Sequence, residues 1–260
     1  AQVPTAPPAR IAAAAPVSAL PAADAFFTDP ALGETRALIV IRDGQRLYER
    51  YGTGIGPGTR LISWSMAKSI TATLIGELVG DGKLARIVAD VVAPGADPAT
   101  RRAKTRQFIA ERLAGPAGMP SLLCEFDPAG NLYGGSLCHA TARDWAAFGQ
   151  MYLDGGVVAG RQVVSRDWVQ FVTTPSPQNP SYGGHFWLNR DQGAGREAAL
   201  FPQAGPPDAF AAIGHLGQYV IVVPSRRLVV VRLGKTQDDV LQPVRDGLAK
   251  LVNSVPAVTK

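Results

Sequence analysis

The sequence is poor in the residues that build metal centres and disulfide frameworks. Among 260 residues there are two cysteines, Cys124 and Cys138, and three histidines. No group of Cys and His has metal-ligand spacing, so neither a metal nor another cofactor is expected. No run reaches the roughly 18 apolar residues that a membrane-spanning helix needs. Runs of five or six like charges are also missing. The net charge of +5, from 26 Lys+Arg against 21 Asp+Glu, is mild and scattered. A solvated surface explains it, and a nucleic-acid partner is not indicated. No internal repeat is visible, and the 28 glycines and 21 prolines are not periodic, as in the turns of a globular enzyme. The chain as given also lacks an initiator Met. Its start, Ala1-Gln2-Val3-Pro4, looks like a mature terminus left by signal-peptide cleavage, which predicts a periplasmic or secreted protein. Residues 1–24, rich in Ala and Pro from Pro4 to Pro21, are expected to form an extended leader to a single domain spanning residues 25–260.

What is present is strands at both ends with helices between them. The β-branched run Ala37–Ile41, the pair Asp43-Gly44 and the alternating segment Arg46–Tyr51 predict a hairpin with a primed turn. Gln218–Val223 and Arg227–Arg232, joined by Pro224-Ser225-Arg226, predict a second, and a helix from about Asp238 to Val252 follows. Between the hairpins, helices are expected over Ser65–Val79, from the capping-box-like Thr141-Ala142-Arg143-Asp144 to Leu153, and from Ser165. The pattern predicts an α+β fold: an antiparallel sheet built from both termini, flanked by helices, with a helical lobe inserted. Cys124 and Cys138 flank the turn-like Asp127-Pro128-Ala129-Gly130, which leaves both a disulfide and two buried thiols open.

The chemistry centres on Ser65-Met66-Ala67-Lys68. A serine hydroxyl is a weak nucleophile near neutral pH and needs a base within hydrogen-bond reach. Positions i and i+3 share a helix face, which brings Lys68 to Ser65 without help from tertiary structure. At a helix N-terminus, Ser65 also gains free backbone N–H groups and the positive dipole end, both of which favour an oxyanion. Alone, Ser-x-x-Lys is expected about once by chance in a chain of this size. The helix that follows gives it meaning. Ile70, Leu74, Ile75, Leu78 and Val79 make it apolar, with no charge until Glu77, so a lysine at its start is either buried for a purpose or snorkels to solvent.

Ser65-Met-Ala-Lys-Ser-Ile-Thr71, preceded by Ile62-Ser63-Trp64, resembles the nucleophile helix of the class C-type β-lactamase-related hydrolases. That group holds β-lactamases, DD-peptidases, esterases and 6-aminohexanoate-dimer hydrolases. The likeness continues through Gly135–Trp145, Asp154-Gly155-Gly156, Trp168, Tyr182-Gly183 and Trp187-Leu188-Asn189. It implies a β-lactamase/transpeptidase-like fold and an acyl-enzyme mechanism on a small ester or amide, with weak β-lactamase action as one option. A non-catalytic module that binds peptidoglycan or acyl ligands is the alternative. By the same resemblance, His215-Leu216-Gly217 looks like the third family motif on the cleft-edge strand. His215 would then orient substrate or share protons, Gly217 would admit substrate, and the Gln218 N–H would join that of Ser65 in the oxyanion hole. Trp64, Tyr182, His185, Phe186 and Trp187 are candidates for an aromatic pocket wall, with plain core packing the alternative for each.

One family feature has no counterpart. The motif carrying a catalytic tyrosine, Tyr-x-Asn or Tyr-Ser-x, is not found, and neither Tyr133 nor Tyr182 stands in its place. Relative to the family, on the order of a hundred residues are missing near Ala85-Arg86. An omitted lobe, a deletion that still folds and a decayed paralogue would each account for this. Intact Ser65, Lys68 and His215-x-Gly217 argue against decay.

Overall fold

The computed structural model describes residues 20–80, 91–191 and 198–258. The suspected gap near residues 85–86 and residues 1–19 of the expected leader lie outside the described residues. The leader's remaining part is corrected. From Pro21 the chain is helix α1 (Pro21–Thr28), opened by a proline that its first turn tolerates. Ala23 and Phe26 are buried, and Asp24 accepts a hydrogen bond from the Tyr48 hydroxyl at 2.8 Å. This stretch is therefore part of the folded unit.

Strands β1 (Glu34–Arg42) and β2 (Gln45–Tyr51) form the first hairpin. Asp43 and Gly44 both have positive φ, as a primed two-residue turn requires. The short β3 (Leu61–Ile62) leads through a 3-10 turn (Trp64–Met66) into α2 (Ala67–Gly80). Then come α3 (Pro98–Ile109), β4 (Leu123–Cys124), β5 (Cys138–Ala140) and α4 (Ala142–Leu153). A small ribbon, β6 (Val157–Val158) and β7 (Arg161–Gln162), precedes α5 (Arg166–Val172). Strands β8 (Trp187–Leu188), β9 (Phe210–Gly214), β10 (Gln218–Val223) and β11 (Leu228–Lys235) follow, and α6 (Gln242–Ser254) ends the described chain. The helix expected from Asp238 starts later, because Asp238–Val240 is a separate 3-10 turn and Pro243 sits at the opening of α6. Both Ser/Thr caps form as expected: Thr141 accepts from the Asp144 N–H, and Ser165 from that of Trp168.

The main sheet has six antiparallel strands in the order β2-β1-β11-β10-β9-β8. The N-terminal hairpin thus joins the C-terminal one, with Glu34 opposite Lys235 and Arg42 opposite Leu228. The central strands are mostly apolar because both sheet faces are covered. Ala37, Ile39 and Ile41 of β1 pack with Met66, Ile70 and Leu74 of the nucleophile segment and with Trp145 and Phe148 of α4. Leu38 and Val40 pack on the other face with Phe26 of α1 and Leu248 of α6.

Arg232, on β11, is fully buried. Its guanidinium donates to the Gly217 carbonyl at 2.7 Å, to Thr236 Oγ1 at 2.8 Å and to the carbonyls of Leu32 and Glu34, each at 3.2 Å. One side chain thereby ties the entrance of β1 to the β9–β10 turn. Arg232→Met would leave these buried acceptors unpaired, and urea denaturation is expected to show a loss of about 3 kcal/mol. A loss below about 1 kcal/mol would contradict this bracing role.

Candidate functional site

The nucleophile turn is made by pairing a two-residue strand to a strap. β3 pairs antiparallel with β5, Ile62 opposite His139, and β5 pairs with β4, Cys138 opposite Cys124. The two cysteines are joined in a disulfide. At the end of β3, Ser63 donates its N–H to the Cys138 carbonyl at 2.7 Å and its hydroxyl to the Ser136 carbonyl at 3.2 Å. The chain then turns sharply. Trp64 has φ +47°, a left-handed conformation that is costly for a bulky side chain, and it opens the 3-10 turn in which Ser65 is the middle residue.

Lys68 Nζ donates to Ser65 Oγ at 2.7 Å and to the Gly135 carbonyl at 3.0 Å. Lys68 Nζ is thus held between the Ser65 hydroxyl and a backbone carbonyl. Further along α2, Thr71 donates to the Gly134 carbonyl at 2.7 Å, and Ser69 to the His185 carbonyl at 2.6 Å. Gly135 is the position at this candidate site that sequence reasoning missed. Its neighbourhood was part of the family likeness, but a carbonyl contribution leaves no side-chain signature.

The opposite wall is β9, not the turn after it. β8 reaches only as far as Ala211, opposite Trp187, which leaves the edge of β9 beyond that point unpaired by β8. Gly214 lies against the nucleophile turn so closely that a Cβ there would overlap the Ser63 carbonyl oxygen. The Asn189 N–H bonds the Ala209 carbonyl at 2.9 Å. Backbone groups alternate along a strand, so Ala209, Ala211 and Ile213 face outward, and Gly214 faces β10 and pairs with Gln218.

This corrects two expectations. The Gln218 N–H belongs to the ladder with Gly214, and its buried side chain bonds Gly234 of β11, so it is not an oxyanion donor. Gly217 is not a point of substrate approach: with φ +74° and Arg232 where its Cβ would stand, it serves the turn and the buried guanidinium.

The remaining candidates separate into rim, wall and core. His215 lies at the rim, its ring edge-on to Trp64 with centroids 5.2 Å apart and its Nδ1 bonded to Asp238. It is near the nucleophile through Trp64, but its hydrogen bond points to Asp238 and not toward Ser65. Tyr182 packs edge-on to Trp187 at 4.7 Å and shares a hydrogen bond of 3.2 Å with His185 Nδ1. Partial burial, and then the charge of Lys68, hold His185 below the usual histidine range, which places it electrostatically within reach of the pair. Burial raises the Tyr182 phenol. For Phe186 the core alternative holds: it is buried among Phe148, Tyr152 and Phe210. Tyr133 is exposed, and Tyr152 bonds Thr73 in the interior, so neither fills the place of the family tyrosine. Among the described residues no group of His, Cys, Asp and Glu is arranged to hold a metal ion, and no helix is long and apolar enough to cross a membrane.

The beta-lactamase family model matches residues 34–127, a span that includes Ser65 and Lys68. Solved structures agree over nearly the whole chain. A Bacillus anthracis protein provisionally described as a 6-aminohexanoate-dimer hydrolase aligns with a TM-score of 0.65 at 16% identity, over 86% of this chain and 81% of that one. A family VIII carboxylesterase gives 0.63 at 14% identity, over 94% and 99%. A penicillin-binding protein homologue from Caulobacter crescentus gives 0.62 at 15% identity, over 89% and 96%. The fold is that of the serine β-lactamases. No curated protein is similar enough in sequence to be matched. At these identities the likeness to solved structures establishes the β-lactamase fold alone, so the chemistry rests on the site.

If β9 packs on the nucleophile turn as described, Gly214→Ala must displace one from the other. The rate at which a fluorophosphonate labels Ser65 is expected to fall by about tenfold or more. An unchanged rate in the folded variant would contradict this packing.

Proposed function

We propose that this protein is a serine hydrolase that forms an acyl-enzyme on small, uncharged esters or amides. The observation that carries the reading is the 2.7 Å hydrogen bond from Lys68 to Ser65 at the head of a buried helix. Lys68, when neutral, takes the Ser65 proton as Oγ attacks the substrate carbonyl, and the oxyanion is received by backbone N–H groups. One donor is Ser65 itself. The second is the N–H of His215, which continues the outward-facing side of β9 and replaces the earlier assignment to Gln218. Collapse of the tetrahedral intermediate expels the alcohol or amine with a proton returned from Lys68. Water then cleaves the acyl-serine ester and restores the free enzyme.

Substrate class follows from what lines the cleft. β9 lies beside the nucleophile turn and carries no cation to hold a substrate carboxylate. Tyr182, Trp187 and Trp64 offer apolar surface, with His185 beside Tyr182. This supports esterase or amidase action over strong β-lactamase action, in line with the carboxylesterase and amide-hydrolase descriptions of two structural neighbours. The disulfide supports an oxidising, periplasmic or secreted location.

Two measurements test the reading. Intact-mass analysis after fluorophosphonate treatment is expected to show one adduct, absent from Ser65→Ala and formed about 10²–10⁴-fold more slowly in Lys68→Ala. A folded protein that takes no adduct would instead support a non-catalytic binding module. In steady state, short p-nitrophenyl esters are expected to turn over faster than a chromogenic cephalosporin. The reverse order would overturn the substrate assignment.

A further inference from the structure

We infer that the Cys124–Cys138 disulfide is a positioning element for Lys68, acting through the strap of backbone it closes. The inference rests on the proposed Ser65–Lys68 chemistry. Residues 134–138 run along the nucleophile segment and meet it at successive points. The Gly134 carbonyl accepts from Thr71 at 2.7 Å, that of Gly135 from Lys68 at 3.0 Å, that of Ser136 from the Ser63 hydroxyl at 3.2 Å and that of Cys138 from the Ser63 N–H at 2.7 Å. The Cys138 N–H returns a bond to Ser63 Oγ at 3.3 Å. Four carbonyls of a five-residue stretch are therefore spent on residues 63 to 71, and one of them holds the ammonium.

Besides these bonds, the Glu125 N–H bonds the Leu137 carbonyl at 2.9 Å, and the strands that carry the strap are short. β5 is three residues long, and its partners β3 and β4 have two each. Strands this short contribute few ladder bonds and do not set a register firmly. The disulfide supplies the constraint at the point where it is needed. It joins the directly opposed pair Cys124 and Cys138, and it packs against Ala67, which lies between Ser65 and Lys68 in sequence. Both cysteines are buried, Cys138 fully. Reduction would leave the Gly135 carbonyl on a strap held by a three-stranded sheet of minimal length and by its bonds to Ser63 and Thr71, so the second contact of Lys68 would be less firmly fixed.

The test compares wild type with Cys124→Ser/Cys138→Ser and with wild type reduced anaerobically. A series of fluorophosphonate concentrations separates the limiting labelling rate from the half-saturating concentration. The limiting rate is expected to fall about tenfold or more, with half-saturation changed less than about twofold, because the strap holds the base and not the substrate wall. Amide exchange of Ser63 and Cys138 is expected to accelerate while that of β10 and β11 stays unchanged. Equal limiting rates in oxidised and reduced protein would overturn the inference, as would exchange that accelerates everywhere alike. If wild type itself takes no label, the serine hydrolase reading fails first and the inference with it. If wild type labels normally but the disulfide is without effect, only the inference fails. Should the double variant not fold, the reduced wild type supplies the same comparison.

Discussion

The site depends on one lysine being held in place by a backbone carbonyl. A Ser-x-x-Lys spacing on a helix brings the two side chains to one face, but a four-carbon stem has many rotamers, and proximity alone does not fix the ammonium. Its bond to Gly135 does so, leaving Ser65 Oγ as the other near partner. The requirement propagates outward. Gly135 must lie beside α2, so its strap must be stitched to Ser63 and Thr71, and the sheet carrying the strap must run beside the left-handed turn at Trp64. The large sheet acts from the other side, where Gly214 presses β9 against the same turn. The nucleophile is thus clamped between a two-residue strand and the free end of β9.

The pieces far from the site serve the same geometry. The β9–β10 turn that carries His215 is anchored at Gly217 by Arg232, and Arg232 in turn holds the chain entering β1. A buried charge is costly unless it is fully bonded. Here the guanidinium meets four acceptors besides Thr35, to which it donates at 3.1 Å. The start of β1 and strand β11 therefore meet beneath the turn that carries His215.

Much of this was legible in the sequence. The β-branched runs, the primed turn at Asp43-Gly44 and the caps at Thr141 and Ser165 each leave a chemical trace, because they depend on side chains. So does the pair Ser65 and Lys68. What was not legible depends on backbone. Gly135 acts through its carbonyl and Gly214 through its lack of a Cβ, so neither was singled out, and the family resemblance pointed instead to His215-Leu216-Gly217, in the turn after β9. Phe186 stayed open between pocket wall and core because periodicity cannot tell which face of a short segment is covered. The disulfide stayed open because a separation of 14 residues does not reveal that the two cysteines oppose each other across a strand pair.

The most direct test of the account is a crystal structure of the protein after phosphonylation. The account predicts phosphorus bonded to Ser65 Oγ, with the phosphoryl oxygen about 3 Å from the N–H groups of Ser65 and His215. Lys68 should remain within hydrogen-bond reach of that serine and of the Gly135 carbonyl. Phosphorus on another residue, or a phosphoryl oxygen turned away from both N–H groups, would contradict it.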